Sequence, residues 1–233
     1  MKTAALLKSF IAIGMIYLLI LLLGYDDTAW FLKPLLLPFL LAAVGASAKF
    51  KTKTLLFAAL LFSWFGDIVL MFADQGERFF IIGLVLFLTA HVIYIALFNK
   101  QPKNSNPKSK LALAIGCLSV IGYLCAMLYL LFPTLGTLKI PVTIYAMVIS
   151  TMLLMAIKGF GHWNNPGNYY IFIGAIGFVV SDSLLAFDKF HEPLPMASFN
   201  IMATYLAAQF LITFGILVLN KKQHSVLSDN AAI

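Results

Sequence analysis

Charged residues are scarce in this chain: Asp, Glu, Lys and Arg make up 11% of its 233 residues, whereas hydrophobic residues make up 62%. A typical soluble domain is about 45–50% apolar and about 25% charged. A chain this apolar lacks the polar side chains needed to cover its own core. The composition therefore argues against a soluble enzyme, a nucleic-acid-binding protein and a disordered protein, and it favours an integral membrane protein.

Cysteine is also scarce, and its two copies are poorly placed for covalent or metal chemistry. Cys117 and Cys125 lie in one apolar run. On a helix, their spacing corresponds to about 12 Å along the axis, which is too far for a disulfide. The sequence contains neither a CxxC motif nor a Cys/His cluster. We therefore predict no metal site and expect both cysteines to be packing residues.

Long apolar runs dominate the sequence, and each is close to the length of about 20 residues that spans a bilayer as a helix. The connectors are short and carry nearly all the charge. These features predict an all-α fold, a polytopic membrane bundle of eight transmembrane helices that forms a single integral membrane domain over residues 1–233. The predicted helices cover approximately residues 6–23, 31–48, 54–73, 79–98, 111–131, 138–157, 169–187 and 196–219.

The first run resembles a signal peptide only superficially. It is longer than a usual signal-peptide core, and no cleavage site of the A-x-A type precedes the polar residues 24–27. We therefore expect it to remain in the protein as a membrane helix.

The distribution of positive charge predicts the orientation of the bundle. With the N-terminus in the cytoplasm, 12 of the 16 cations fall on the inner side: Lys2, Lys8, Lys49, Lys51, Lys53, Lys100, Lys103, Lys108, Lys110, Lys158, Lys221 and Lys222. An even number of helices returns the C-terminus to the cytoplasm, and we expect a bacterial inner membrane. The net charge of +7 thus reflects topology and attraction to anionic lipid rather than a nucleic-acid partner.

The outer side has the opposite charge pattern. It holds the four cations Lys33, Arg78, Lys139 and Lys189, together with six acidic residues, Asp26, Asp27, Asp74, Glu77, Asp188 and Glu192.

Two halves of the chain share short patterns. A small residue followed by Asp-x-x-Leu-x-Phe occurs at residues 66–72 and again at residues 181–187. Ala90-His91 matches Ala208-Gln209 in the same relative place. These matches predict a parallel 4+4 repeat with a pseudo-two-fold axis along the membrane normal. The competing interpretation is chance similarity among apolar helices, because the offset between matches drifts.

Ionisable residues within the apolar runs are the candidates for function, because each costs several kcal/mol in a bilayer. There are four: Lys33, Asp67, His91 and Asp182. At 1.5 Å per residue, the predicted helix ends place the two aspartates about 8–9 Å below the outer surface. Lys33 lies about one turn deep and His91 about 18 Å deep. We therefore expect the two carboxyl groups to face each other.

Polar neighbours one helical turn away extend the candidate site. Ser63 precedes Asp67 by four residues, and Tyr94 follows His91 by three. Tyr205 and Gln209 share one face of the last helix. The competing structural interpretation is that these polar groups only hold helices together, and that Lys33 extends to the outer head groups.

Two carboxyl groups in one poorly solvated pocket cannot both ionise easily, so they divide into an acid and a base. That division suits hydrolysis through an oxocarbenium-like state, as in glycosidases. It equally suits proton-coupled transport, and the residues alone do not decide between the two.

The motifs together resemble those of the YhhN family, the lysoplasmalogenase family of eight-helix membrane proteins. The resemblance covers nearly the whole chain, and it is carried by Lys33-Pro34, Ser63-x-x-Gly66-Asp67, Ala90-His91-x-x-Tyr94, Ser181-Asp182-Ser183-Leu184-x-Ala186-x-x-Lys189-Phe190 and Tyr205-x-x-x-Gln209. It implies hydrolysis of the vinyl ether bond of lysoplasmalogens to a fatty aldehyde and glycerophosphoethanolamine or glycerophosphocholine. It also implies that no metal or organic cofactor is needed.

The resemblance and the chemistry assign roles to individual residues. We expect Asp67 and Asp182 to be the catalytic pair, although the sequence does not say which is the acid. Lys33, with Lys139, is expected to bind the phosphate of a lysophospholipid that enters from the outer leaflet. The other candidates for substrate binding are Ser63, His91, Tyr94, Ser181, Ser183, Tyr205 and Gln209.

Two other function classes remain open at this stage. One is a small lipid or proton-coupled transporter, or a lipid-binding membrane protein, that uses the same polar pocket. The other is a structural membrane protein. The partners expected for the hydrolase are a lysophospholipid substrate and the surrounding membrane lipid, with no nucleic acid.

Overall fold

The computed structural model describes residues 2–103 and 110–230, with side chains described except at positions 110, 112 and 222–230. Within these residues every regular element is helical, and eight segments are long and apolar enough to cross a membrane. The predicted all-α class and the number of spans are thus confirmed. The α-helices are α1 (Lys2–Leu22), α2 (Asp26–Leu32), α3 (Leu36–Ala46), α4 (Lys53–Leu70), α5 (Glu77–Asn99), α6 (Lys110–Leu131), α7 (Lys139–Phe160), α8 (Gly167–Phe190) and α9 (Ala197–Asn230).

Some sequence-based assignments fall outside the described part of the chain. Lys108 is one of them, as are the side chains of Lys110 and Lys222, all three of which we assigned to the cytoplasmic side. Residues 1, 104–109 and 231–233 of the predicted single domain also lie outside it.

The second span differs most from its prediction. It runs from Asp26 to Ala46 and contains α2, a 3-10 helix at Lys33–Leu35 and α3, whereas the apolar run predicts a start near residue 31. Asp26 and Asp27 occupy the first turn, where carboxylates favour a helix N-terminus. Pro34 cannot donate the backbone hydrogen bond that an α-helix needs at this point, so the span tightens into a 3-10 turn. Lys33 therefore lies in mid-span rather than at a helix start.

The helices contact one another in a closed order. Each helix contacts the next in the series α1, α3, α4, α5, α7, α8 and α9, and α9 closes the ring by contacting α1. Helix α6 lies outside this ring and packs against α7 and α8. Only 6% of the α6 span is buried, compared with 22–50% in the other spans. Helix α6 is therefore peripheral.

The predicted repeat stays a prediction, although the tightest pairs, α4–α5 and α8–α9, hold corresponding places in it.

Glycines bring the tight pairs close together at the level of the candidate site. A Cβ atom added at Gly66 of α4 would lie 2.7 Å from Cδ2 of Phe87 on α5. One added at Gly174 of α8 would lie 3.0 Å from the carbonyl oxygen of Ala208 on α9. Small residues permit such backbone approach in membrane bundles. The carboxyl group of Asp67 follows Gly66 directly, so this approach sets its position relative to α5.

Candidate active site

A cavity of about 490 Å³ opens at the end of the bundle that contains the predicted outer connectors. Asp67, Asp182 and Lys33, which come from three different spans, all line this cavity. Polar residues from the connectors and helix ends line it too: Asp26, Asp74, Asp188, Lys189 and Ser198. The structure therefore brings the predicted carboxyl pair into one chamber.

The two aspartates occupy different places along their helices. Helix α4 ends at Leu70, three residues after Asp67, whereas α8 continues for eight residues beyond Asp182 to Phe190. The equal spacing from helix ends that we inferred from the sequence is therefore wrong. The apolar runs do not mark where the helical hydrogen bonding stops, because apolar residues continue past the end of α4.

Asp67 is held by a chain of hydrogen bonds that begins on α5. Tyr94 donates to Oε1 of Gln209 at 2.6 Å, and Nε2 of Gln209 donates to the hydroxyl of Tyr205 at 3.3 Å. The Tyr205 hydroxyl donates in turn to Oδ2 of Asp67 at 2.7 Å. All four side chains are buried. Within this chain, Tyr205 contacts the Asp67 carboxyl group directly, and Gln209 and Tyr94 act on it through Tyr205.

Asp182 has a separate set of neighbours. The hydroxyl of Tyr145 on α7 donates a short hydrogen bond to its Oδ2. Nε2 of His91 on α5 lies 3.8 Å from the same oxygen, which is too far for a direct hydrogen bond. The fully buried His91 ring packs edge-on against Tyr145 and Phe178. Each carboxyl group thus accepts a hydrogen bond from one tyrosine of a neighbouring helix.

Lys33 reaches the cavity from the 3-10 turn of the second span. The indole nitrogen of Trp64 on α4 donates to the carbonyl oxygen of Pro34 at 2.7 Å and holds this turn against α4. Lys33 and Asp67 both line the cavity. The turn therefore places a lysine in the same space as the two carboxyl groups.

The remaining predicted residues fall into three groups. Ser181 and Tyr205 line the cavity, and the hydroxyl of Ser181 donates to the carbonyl oxygen of Ile201 at 3.0 Å. Tyr94, Gln209 and His91 are buried behind the lining and contact it through Tyr205 or Asp182.

Three predicted residues lie away from the lining. Lys139 places its ammonium 4.8 Å above the ring of Phe132, so its pairing with Lys33 in the sequence analysis is not reproduced in space. Ser183 accepts a hydrogen bond from Tyr123 of α6 at 2.5 Å and therefore faces α6 rather than this cavity. Ser63 is fully buried, and among the described residues its hydroxyl has no hydrogen-bond partner.

The cavity residues that were not predicted from the sequence include Tyr145 and Lys189. Tyr145 escaped notice because a tyrosine in an apolar run carries no signal of its contact with Asp182. Lys189 was counted as an outer cation and as part of the Asp182 motif but not as a site residue, yet it lines the cavity and its Nζ lies 3.8 Å from Oδ1 of Asp74. Its place in the Asp182 motif, two helical turns further on, was the available signal.

The arrangement is suited to proton transfer on a bound amphiphile. It combines two carboxyl groups, a nearby lysine, and apolar walls that include Leu70, Phe87 and Met202. No three His, Cys, Asp or Glu side chains of the described residues are grouped as metal ligands would be.

Comparison with known proteins provides independent information. The model of the YhhN family matches residues 28–216. Lysoplasmalogenase TMEM86A of Bos taurus is 34% identical over 183 residues, which cover 75% of this chain and 70% of that protein. Lysoplasmalogenase TMEM86B of Homo sapiens is 34% identical, with 70% and 63% covered. A lysoplasmalogenase of Mycobacterium tuberculosis is 29% identical, with 76% and 65% covered. No solved structure matches the chain.

Proposed function

The chain belongs to the YhhN family, and we propose that it is a membrane hydrolase that cleaves the vinyl ether bond of lysoplasmalogens. The relatives named above carry the name lysoplasmalogenase. The observation that carries the proposal is that Asp67 and Asp182 line one cavity, each with its own tyrosine donor. The products are a fatty aldehyde and glycerophosphoethanolamine or glycerophosphocholine.

The chemistry requires a proton and a water molecule. One carboxyl group protonates the β-carbon of the vinyl ether, and the electrons of the double bond leave an oxocarbenium ion at the carbon attached to oxygen. The second carboxyl group steadies this cation and accepts a proton from the water that adds to it. The resulting hemiacetal collapses to aldehyde and alcohol, so that one water is consumed for each bond cleaved.

The two aspartates have different neighbours in the cavity. Asp67 accepts its hydrogen bond from Tyr205, and Lys33 lines the same cavity. Asp182 has the hydroxyl of Tyr145 and the imidazole of His91 beside it. One of the two carboxyl groups donates the proton, and the other acts on the water.

The charges of the cavity suggest the orientation of the lipid. Lys33 and Lys189 are available to the phosphate, and the acidic residues Asp26 and Asp74 at the mouth are available to the ammonium of the head group. This orientation directs the head group towards the opening. If the termini are cytoplasmic, in a bacterial inner membrane, the substrate enters from the outer leaflet.

A direct assay tests the proposal. The purified protein in detergent is incubated with lysoplasmenylethanolamine, and aldehyde release is measured against the saturated alkyl ether analogue, which lacks the double bond. We expect aldehyde from the vinyl ether only. Binding of the lipid without any aldehyde, or flux of the intact lipid across vesicles, would instead identify a binding protein or a transporter.

A further inference from the structure

A second, smaller cavity of about 60 Å³ lies where α6 packs against α7 and α8. We call it the α6 crevice. It shares four lining residues with the main cavity: Val142, Tyr145, Asp182 and Ala186. The hydrogen-bonded pair of Tyr145 and Asp182 therefore borders both spaces. A molecule that reacts at Asp182 therefore lies next to the crevice.

The crevice is mainly apolar and faces the least buried helix. Leu124, Met127 and Leu128 of α6 line one side, and Ile149 of α7 and Val179 of α8 line the other. Only 6% of the α6 span is buried, so most of this helix faces lipid. The crevice is thus separated from the bilayer by a single, loosely packed helix.

The length of the crevice matches part of a lipid chain. Its lining on α6 extends from Tyr123 to Leu131, which corresponds to about 12 Å along the helix axis. One leaflet of the hydrocarbon core is about 15 Å thick. A hydrocarbon chain aligned with the helices therefore finds apolar contacts over most of that length.

We propose that the α6 crevice binds the hydrocarbon chain of the lysolipid and leads it sideways into the bilayer. The inference rests on the proposed function. The reacting carbons are the first two of the chain, so the chain must continue from Asp182 along an apolar surface. The charged residues of the main cavity, Lys33 and Lys189 among them, suit the phosphate instead. The crevice is an apolar surface that begins at Asp182 and carries no Lys or Arg in its lining, and its ligand is an unbranched hydrocarbon.

Photolabelling tests the proposal without requiring turnover. The probe is an alkyl ether lysophosphoethanolamine with a diazirine in its chain, which the enzyme cannot cleave because it has no vinyl group. The purified full-length protein is irradiated with the probe in nanodiscs, and labelled residues are mapped by mass spectrometry. We expect labels on Leu124, Met127 and Leu128, removed by excess unlabelled lysolipid. Labels confined to other apolar walls of the main cavity, such as Leu84 or Phe87, would overturn the proposal.

A pair of variants sharpens the test. Ala146 lines the crevice but not the main cavity, and Ala146→Phe fills it. Ala126 is exposed on α6 and lines neither space, so Ala126→Phe is the matched control. We expect labelling of α6 to fall about tenfold in Ala146→Phe and to stay unchanged in Ala126→Phe. Equal labelling in both variants would contradict the chain path.

The labelling experiment and the aldehyde assay test the chain-binding site and the hydrolase activity separately. Labels on α6 in a wild-type protein that releases no aldehyde would support the chain-binding site and contradict the proposed hydrolase function. Aldehyde release with labels on residues outside the crevice would support the hydrolase function and contradict the chain-binding site. If Ala146→Phe does not fold, the map obtained on the wild-type protein still decides.

Discussion

The hydroxyl of Tyr205 on α9 donates a 2.7 Å hydrogen bond to Oδ2 of Asp67 on α4, although 138 residues separate the two in the chain. Asp182 of α8 receives its hydrogen bond from Tyr145 of α7. Each carboxyl group is therefore oriented by a tyrosine on another helix. This relationship makes the bundle itself part of the proposed catalytic apparatus, and it leads to several measurable consequences.

Replacing either aspartate by asparagine removes an acid–base group while keeping the shape of the side chain. We expect Asp67→Asn and Asp182→Asn each to lower kcat for aldehyde release by about a hundredfold to ten-thousandfold. Asp27→Asn is the control, because Asp27 is exposed and does not line the cavity. Thermal unfolding in detergent should be nearly unchanged in all three variants. Loss of folding without a specific loss of kcat would support a purely structural role.

The tyrosine chain predicts a graded effect on turnover. Tyr205→Phe removes the donor to Asp67, and a hydrogen bond to a charged group is worth about 1.5–3 kcal/mol, so kcat should fall about tenfold to a hundredfold. Tyr94→Phe acts two hydrogen bonds further away and should lower kcat less. KM should change little in either variant. Tyr129→Phe, at an 83% exposed position, is the control. An equal effect of Tyr94→Phe and Tyr205→Phe would contradict the chain.

The two lysines that we expected to bind the phosphate should behave differently. Lys33 lines the cavity and Lys139 packs on Phe132 outside it. We expect Lys33→Met to raise KM by about tenfold or more, because a charge-assisted contact with the phosphate is lost. Lys33→Arg should restore part of the affinity. Lys139→Met should leave KM unchanged, and a similar rise in both methionine variants would refute the assignment.

The packing at Gly66 predicts a loss of stability. A Cβ atom at this position would lie 2.7 Å from the ring of Phe87, and overpacking of this kind costs about 1–3 kcal/mol. Gly66→Ala should therefore lower the midpoint of thermal unfolding. Gly122→Ala is the control, since a Cβ atom there meets nothing within 4 Å. Comparable melting of the two variants would show that α4 and α5 adjust freely.

The proposed protonation step has an isotopic signature. In D₂O, the proton donated to the β-carbon is a deuteron, so the aldehyde should carry a single deuterium on the carbon next to the carbonyl group. Rapid trapping as a hydrazone followed by mass spectrometry measures it. Unlabelled aldehyde incubated with the protein in D₂O gives the background exchange. Product with no deuterium above that background would exclude protonation at carbon.

Tertiary contacts explain which site residues sequence reasoning could find. Asp67 and Asp182 were identifiable because ionisable residues are rare in apolar runs. Tyr145 was not, because tyrosine is common at the ends of membrane helices and its partner lies 37 residues away. Ser183 follows Asp182 directly but does not line the main cavity, because neighbouring residues of a helix point in different directions. It faces Tyr123 on α6 and lines the α6 crevice, which Asp182 also borders.

The sequence by itself determined that the protein lies in a lipid bilayer and that its architecture is helical. Eight long apolar runs with charged connectors can be satisfied only by helices that span a bilayer, since lipid offers no hydrogen bonds to an unpaired backbone. Only the tertiary structure decided which polar groups share a space. It places Asp67, Asp182 and Lys33 in the lining of one cavity. Lys139 and Ser183 lie outside that lining, against Phe132 and Tyr123 respectively. The reason is physical: spacing along a helix defines its faces, whereas the contacts of each face depend on how the helices pack.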